Sequence, residues 1–78
     1  MTKFLLISGD SEKEKIVMEV FPADEVIVSA DETMIFDVLK VEEPDIVIVD
    51  GDIETLDLKP LCRKIKQYPV VIILLLGE

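Results

Sequence analysis

The segment Asp45-Ile46-Val47-Ile48-Val49-Asp50 decides the fold of this chain. Four consecutive β-branched residues between two aspartates are typical of a strand that is buried on both faces. Strands of this kind belong to parallel sheets, because helices cover both sides of such a sheet. Residues 4–7, 25–29 and 70–76 are three further short and mainly apolar runs. We predict that each of them is a strand of the same sheet.

Three amphipathic helices are predicted between these strands. The first begins at a capping box formed by Ser11 and Glu14 and ends before Pro22. The second has Asp31 as its N-cap, and the third carries Pro60 in its first turn, where a missing amide costs little. Their apolar stripes, at helical spacing, are Ile16, Val17, Val20 and Phe21, then Met34, Ile35, Val38 and Leu39, then Leu58, Leu61, Cys62 and Ile65.

The resulting order is βαβαβαβ, with four strands and three helices. Strands that alternate with helices of this length require crossover connections, which are right-handed in parallel sheets. The 78 residues contain no repeat, linker or low-complexity tract, and we predict one α/β domain over residues 1–78.

Composition and charge exclude several classes of function. The formal net charge is -9, which argues against nucleic acids and anionic membranes as partners. There is no histidine, no glycine-rich phosphate loop, and no serine or cysteine with a base, so a free-standing enzyme is not expected.

The lone Cys62 fits a reducing compartment and is expected to be a small buried apolar side chain. With no signal peptide and no apolar run long enough to span a bilayer, the chain is predicted to be cytoplasmic.

The chemistry-bearing residues follow the first and third strands. In an open parallel sheet, ligands lie at the carboxyl ends of the strands. Asp10 follows the first strand, and Asp50 and Asp52 follow the third. Carboxylates grouped in this way can bind a divalent cation such as Mg²⁺ and present one oxygen to a phosphoryl group. Alternatively, Asp50 only accepts backbone amides in the next turn, and Asp52 and Glu54 are solvated loop residues.

Several segments resemble response-regulator receiver domains, the CheY-like family. Residues 44–50 (PDIVIVD) resemble the family's third strand, and residues 3–7 (KFLLI) are similar to its first strand. Residues 58–66 (LKPLCRKIK) and 69–71 (PVV) resemble its third helix and fourth strand. The resemblance covers the whole chain but only the first part of a receiver domain. It implies a flavodoxin/CheY-like fold, a place in two-component signalling, and a histidine kinase or an output domain as partner.

The resemblance also implies that Asp50 is the phospho-acceptor, yet the chain departs from the family around it. Ser8 and Gly9 stand where the family has a magnesium-binding acidic pair, and Leu74 or Leu75 stands where it has a threonine or serine. The family's lysine after a fifth strand has no counterpart. We therefore expect a degenerate receiver that acts by protein–protein interaction without phosphorylation.

Two alternatives stay open. One is a working phospho-acceptor that uses Asp50 with Asp10 and Asp52 around Mg²⁺, and the other is the N-terminal part of a longer regulator. Residues 70–76 are apolar on both faces and close to the end of the sequence, which makes them a hydrophobic edge in a monomer. We accordingly expect a homodimer that forms through this fourth strand or by exchange of a segment.

Overall fold

A computed structural model describes residues 1–75 of the chain. Strands and helices alternate as the sequence predicts, so the α/β class and the count of four strands and three helices are confirmed. The elements are β1 (Lys3–Ile7), α1 (Ser11–Val20), β2 (Glu25–Ser29), α2 (Glu32–Val41), β3 (Ile46–Asp50), α3 (Leu58–Ile65) and β4 (Val71–Leu75).

The four strands form one parallel sheet in the order β2-β1-β3-β4. The connection from β1 to β2 runs in one direction along the sheet, and the connection from β2 to β3 passes back over β1. The strand order therefore reverses between β1 and β3, which is the point where open α/β sheets bind ligands. This arrangement is compatible with a flavodoxin-like α/β fold.

The sheet separates two apolar layers because its side chains alternate between faces. One layer lies under α2 and α3 and includes Leu5, Ile7, Val47 and Val49 of the two central strands. The other lies under α1 and contains Phe4, Leu6, Val17 and Ile48. One face of the sheet thus carries two helices and the other carries only one.

The helix starts confirm one sequence prediction and correct another. Asp31 caps α2 as predicted, with its carboxylate accepting hydrogen bonds from the amides of Thr33 and Met34. The predicted capping box at Ser11 is wrong: Ser11 is already helical, and Asp10 caps α1 by accepting from the Glu12 amide at 2.9 Å. An aspartate caps as well as a serine does, and Asp10 has the extended backbone that the position needs.

Of two further expectations, the one for Pro60 is confirmed and the one for Cys62 is corrected. Pro60 does lie in the first turn of α3. Cys62 is only partly buried, at the margin of the layer under α2 and α3, rather than fully enclosed. Within residues 1–75, no helix has the length and apolar character needed to cross a membrane.

Strand β4 is an edge of the described sheet and is poorly covered. It pairs with β3 along its length, from Ile46 opposite Val71 to Asp50 opposite Leu75. Val71 is 59% exposed, Ile73 41% and Leu74 52%, although all three are apolar. The predicted strand included Leu76, which lies outside the described residues. The hydrophobic edge expected from the sequence is therefore present on both faces of β4.

Candidate functional site

The candidate site surrounds Asp50 at the carboxyl end of β3. Asp50 is 3% exposed as a whole residue, yet both of its carboxylate oxygens have partners. Its Oδ1 accepts a hydrogen bond from Lys13 Nζ at 2.7 Å and another from the Asp52 amide at 2.9 Å. Its Oδ2 accepts a hydrogen bond from the Ser8 hydroxyl at 2.9 Å. Asp50 is therefore a buried charge that is fully satisfied inside the protein.

Three elements bring these side chains together. Ser8 directly follows β1, which lies beside β3 in the sheet, so the two strand ends meet at the same edge. The Ser8 hydroxyl also accepts a hydrogen bond from the Asp10 amide, which orients the turn into α1. Lys13 lies in the first turn of α1, and its flexible side chain extends over the end of the sheet to Asp50.

The charges of this cluster stabilise one another. Burial alone would favour the neutral form of Asp50, but hydrogen bonds from Lys13, the Asp52 amide and Ser8 outweigh it, so the pKa of Asp50 is lowered. Hydrogen bonds to Asp50 and then to Asp52 raise the pKa of Lys13 above its ordinary value. Lys13 and Asp50 are thus both charged over the whole physiological range of pH.

The aspartates expected to bind a metal line one cleft. Asp10, Asp50 and Asp52 border a cavity of about 280 Å³ together with Lys13. Asp52 Oδ2 lies 2.9 Å from Lys13 Nζ, whereas the Asp10 carboxylate caps α1. Over residues 1–75, no three acidic or cysteine side chains are grouped in a way that could hold a metal ion. A magnesium site formed by the three aspartates stays a prediction.

The neighbouring strand end gives the site no hydroxyl. Leu75 lies opposite Asp50 in the β3–β4 register, and the Gly51 amide donates a hydrogen bond to the Leu75 carbonyl at 2.8 Å. Leu75 packs against the apolar layer under α1. Of the two leucines considered from the sequence, Leu75 is therefore the one beside the site.

The sequence predicts that Asp10, Asp50 and Asp52 lie at one edge of the sheet. The contribution of Lys13 was not predicted, and neither was the hydrogen bond from Ser8 to Asp50. A signal for Lys13 was present. Lys13 and the buried Val17 are four residues apart in α1, and residues at that spacing share a face of a helix. A lysine on the inward face of the first turn, near a strand that ends in aspartate, predicts an ion pair.

The cluster can hold a carboxylate in its ionised form without a metal, because an ammonium, a hydroxyl and a backbone amide supply the compensating interactions. Within residues 1–75, the side chains that hydrogen-bond to Asp50 are Lys13, which is protonated, and Ser8, whose hydroxyl donates to the carboxylate. Comparisons of the chain with models of protein families, with curated proteins and with solved structures each found no match.

Proposed function

We propose that this chain is a degenerate receiver-like signalling module that acts by protein–protein contact, including self-association, and independently of phosphorylation. The observation that carries the proposal is the uncovered fourth strand. Val71, Ile73 and Leu74 expose apolar surface on both faces of an edge strand, and edge strands with such surfaces associate readily.

Exposed apolar side chains of α1 and β4 on the same side of the sheet support self-association. Ile16 borders a small cavity with Leu75, and Val20 lies one helical turn further along the same side of α1. Ile16 is 58% exposed and Val20 62% exposed. Together with Val71 and Ile73 these residues form what we call the α1-side patch. A second copy packed face to face on this patch would bury it in both molecules.

The internal partners of Asp50 support independence from phosphorylation. A carboxylate that attacks a phosphorus atom needs a free oxygen, and a cation must offset the charge of the incoming group. Both Asp50 oxygens accept hydrogen bonds within the chain, and the nearest cation is Lys13. Ser8 and Gly9 offer no carboxylate for magnesium. The proposal therefore gives Asp50 a structural role and gives the chain no catalytic turnover.

A second candidate is a working phospho-acceptor, and one observation favours it. Asp10, Asp50 and Asp52 do border a common cleft, and Lys13 is placed where an ammonium could contact a phosphoryl oxygen. This candidate requires that Lys13 or Ser8 release one oxygen of Asp50 when a phosphodonor and Mg²⁺ arrive. A histidine kinase would then be the natural partner, in the cytoplasm.

One experiment separates the two candidates. The chain and its Asp50→Asn variant are incubated with magnesium and acetyl phosphate, intact masses are recorded, and sedimentation velocity is measured before and after. We expect no phosphoryl adduct and the same concentration-dependent association for both proteins. A stoichiometric adduct that is lost in Asp50→Asn would establish the second candidate, and a chain that stays monomeric at every concentration would refute self-association.

A further inference from the structure

The α3 side of β4 differs in charge from the rest of this acidic protein. Half of the eight basic residues lie within residues 59–66, in and just after α3. Lys64 pairs with Glu32 of α2 at 3.7 Å. The other three, Lys59, Arg63 and Lys66, are exposed and form no ion pair within residues 1–75. They are separated by four and three positions, so they form one stripe along the helix.

This basic stripe borders a groove between α3 and the edge of the sheet. The groove measures about 430 Å³, and its remaining lining is largely apolar, from Leu58, Cys62 and Leu74. Leu58 and Cys62 are partly buried, and Leu74 is 52% exposed. The floor of the groove is therefore apolar and its rim is cationic.

The groove lies beside unpaired backbone. Strand β4 has hydrogen-bonded partners on its β3 side only, within the described part of the chain. The opposite side of an edge strand presents amide and carbonyl groups that can accept another strand. A strand that pairs there lies about 4.8 Å from β4, with alternate side chains above α3 and on the α1 side.

We propose that the edge of β4 and the basic stripe of α3 form a docking site for an extended acidic segment of a partner protein, which adds to the sheet as a fifth strand. The surfaces on the two sides of β4 determine which residues the partner segment should carry. Side chains that point to the α3 side meet Lys59, Arg63 and Lys66, which favours glutamate or aspartate. Side chains that point to the α1 side continue the apolar surface of Val71 and Ile73, which favours β-branched residues. The preferred ligand alternates acidic and β-branched residues.

The length of the basic stripe on α3 matches the spacing of alternate side chains on an added strand. The seven positions from Lys59 to Lys66 span about 10 Å along a helix. Side chains on one face of a strand are about 6.7 Å apart, so two or three alternate acidic residues match the stripe. Another copy of the chain fits less well, because pairing two β4 edges would bring together two basic stripes of like charge. A nucleic acid fits less well too, because its backbone has no amide and carbonyl groups with which to continue the sheet.

The test uses a fluorescent peptide that alternates valine and glutamate over about five to seven residues, the length of an ordinary strand. Binding to the full chain is followed by fluorescence anisotropy. Replacement of Lys59, Arg63 and Lys66 by glutamine should raise the Kd about tenfold, as expected for the loss of a few exposed ion pairs. The matched control replaces the exposed Lys15 and Lys40, which lie in α1 and α2, and should leave the Kd unchanged. Circular dichroism confirms that each variant is folded.

Variants of the peptide test the geometry. A peptide of the same composition with its glutamates in one block, and one with a central proline, should each bind much more weakly, because they lose the alternation or the backbone pairing. The proposal is overturned if the alternating lysine–valine peptide binds as well, if the triple glutamine variant binds with an unchanged Kd, or if single-stranded DNA displaces the peptide at equal concentration. Self-association is assigned to the α1-side patch, so the triple glutamine variant should sediment like the wild type. Sedimentation of this variant therefore distinguishes loss of peptide binding from loss of self-association.

Discussion

Lys13 Nζ lies 2.7 Å from Asp50 Oδ1 and joins residues that are 37 positions apart in the chain. The side chain of Asp50 is 4% exposed and that of Lys13 is 22% exposed, so water solvates the aspartate poorly. This ion pair fixes the first turn of α1 to the carboxyl end of β3 and supplies positive charge to Asp50 without a metal ion.

Replacement of Lys13 by methionine should destabilise the fold. The methionine keeps most of the volume of the lysine stem but leaves the Asp50 charge with only Ser8 and a backbone amide as partners, and a buried charge that loses its counterion is costly. The urea midpoint of unfolding should fall. Lys15→Met is the matched control, because Lys15 is exposed on the same helix and forms no ion pair with residues 1–75. Equal midpoints for the two variants would show that the ion pair contributes nothing to stability.

Removal of the Ser8 hydroxyl should have a smaller effect. Ser8→Ala takes one hydrogen bond from a buried carboxylate that keeps its lysine, and we expect a loss of about 1–2 kcal/mol in the free energy of unfolding. The free energy of unfolding is measured by chemical denaturation for Ser8→Ala and for the control Ser11→Ala. Ser11 is exposed at the start of α1. A Ser8→Ala protein as stable as Ser11→Ala would contradict the role given to this hydroxyl.

The stability should depend on pH through Asp50. The pKa of Asp50 is lower in the folded chain than the value of about 3.9 of an unfolded aspartate, so the unfolded state binds more protons below that pH. The stabilisation by the Asp50 carboxylate is therefore complete above about pH 5 and is lost as the pH falls through the folded pKa. Melting temperatures of the wild type and Asp50→Asn should differ most near neutral pH and converge in acid. A difference that stays constant down to acid pH would rule out this assignment.

Magnesium should not stabilise the wild-type chain. Lys13 already provides the cation beside Asp50 and Asp52, and a divalent ion would have to displace it. In Lys13→Ala the two carboxylates lose that charge, and we expect the melting temperature of this variant to rise when MgCl₂ is added. The salt control is NaCl at equal ionic strength. A rise of similar size in the wild type would favour the magnesium site of Asp10, Asp50 and Asp52 that the sequence suggested.

Self-association should depend on the α1-side patch. Ile73→Glu places a charge in the middle of this surface and should shift sedimentation towards the monomer at all concentrations, because a buried unpaired carboxylate opposes association. Met34→Glu is the control: Met34 is an apolar residue of similar exposure, 47% against 41%, but it lies on α2. If the two variants associate equally, the patch is not the interface.

The local sequence determined the elements of this protein and their order. The apolar runs at residues 4–7 and 45–50 are typical of strands covered on both faces, and Asp31 marks the start of α2 because its carboxylate satisfies free amides. Their alternation with helices requires a parallel sheet. These are short-range properties, set by side-chain periodicity and capping, so they can be read one segment at a time. The capping of α1 could not be settled in this way, because Asp10 and Ser11 are neighbours that both suit the position.

Only the tertiary structure decided the strand order and the contacts between distant residues. Within residues 1–75, the order β2-β1-β3-β4 places β4 at the edge of the sheet and leaves Ile73 and Leu74 exposed, although their sequence suits an interior strand. The partner of Asp50 is likewise a product of packing. Lys13 reaches Asp50 because α1 crosses the sheet beside β3, and a flexible lysine side chain has no preferred target until that crossing is fixed. The pairing of charged side chains that are distant in the chain depends on how the helices pack on the sheet. It therefore cannot be predicted from any single segment of the sequence.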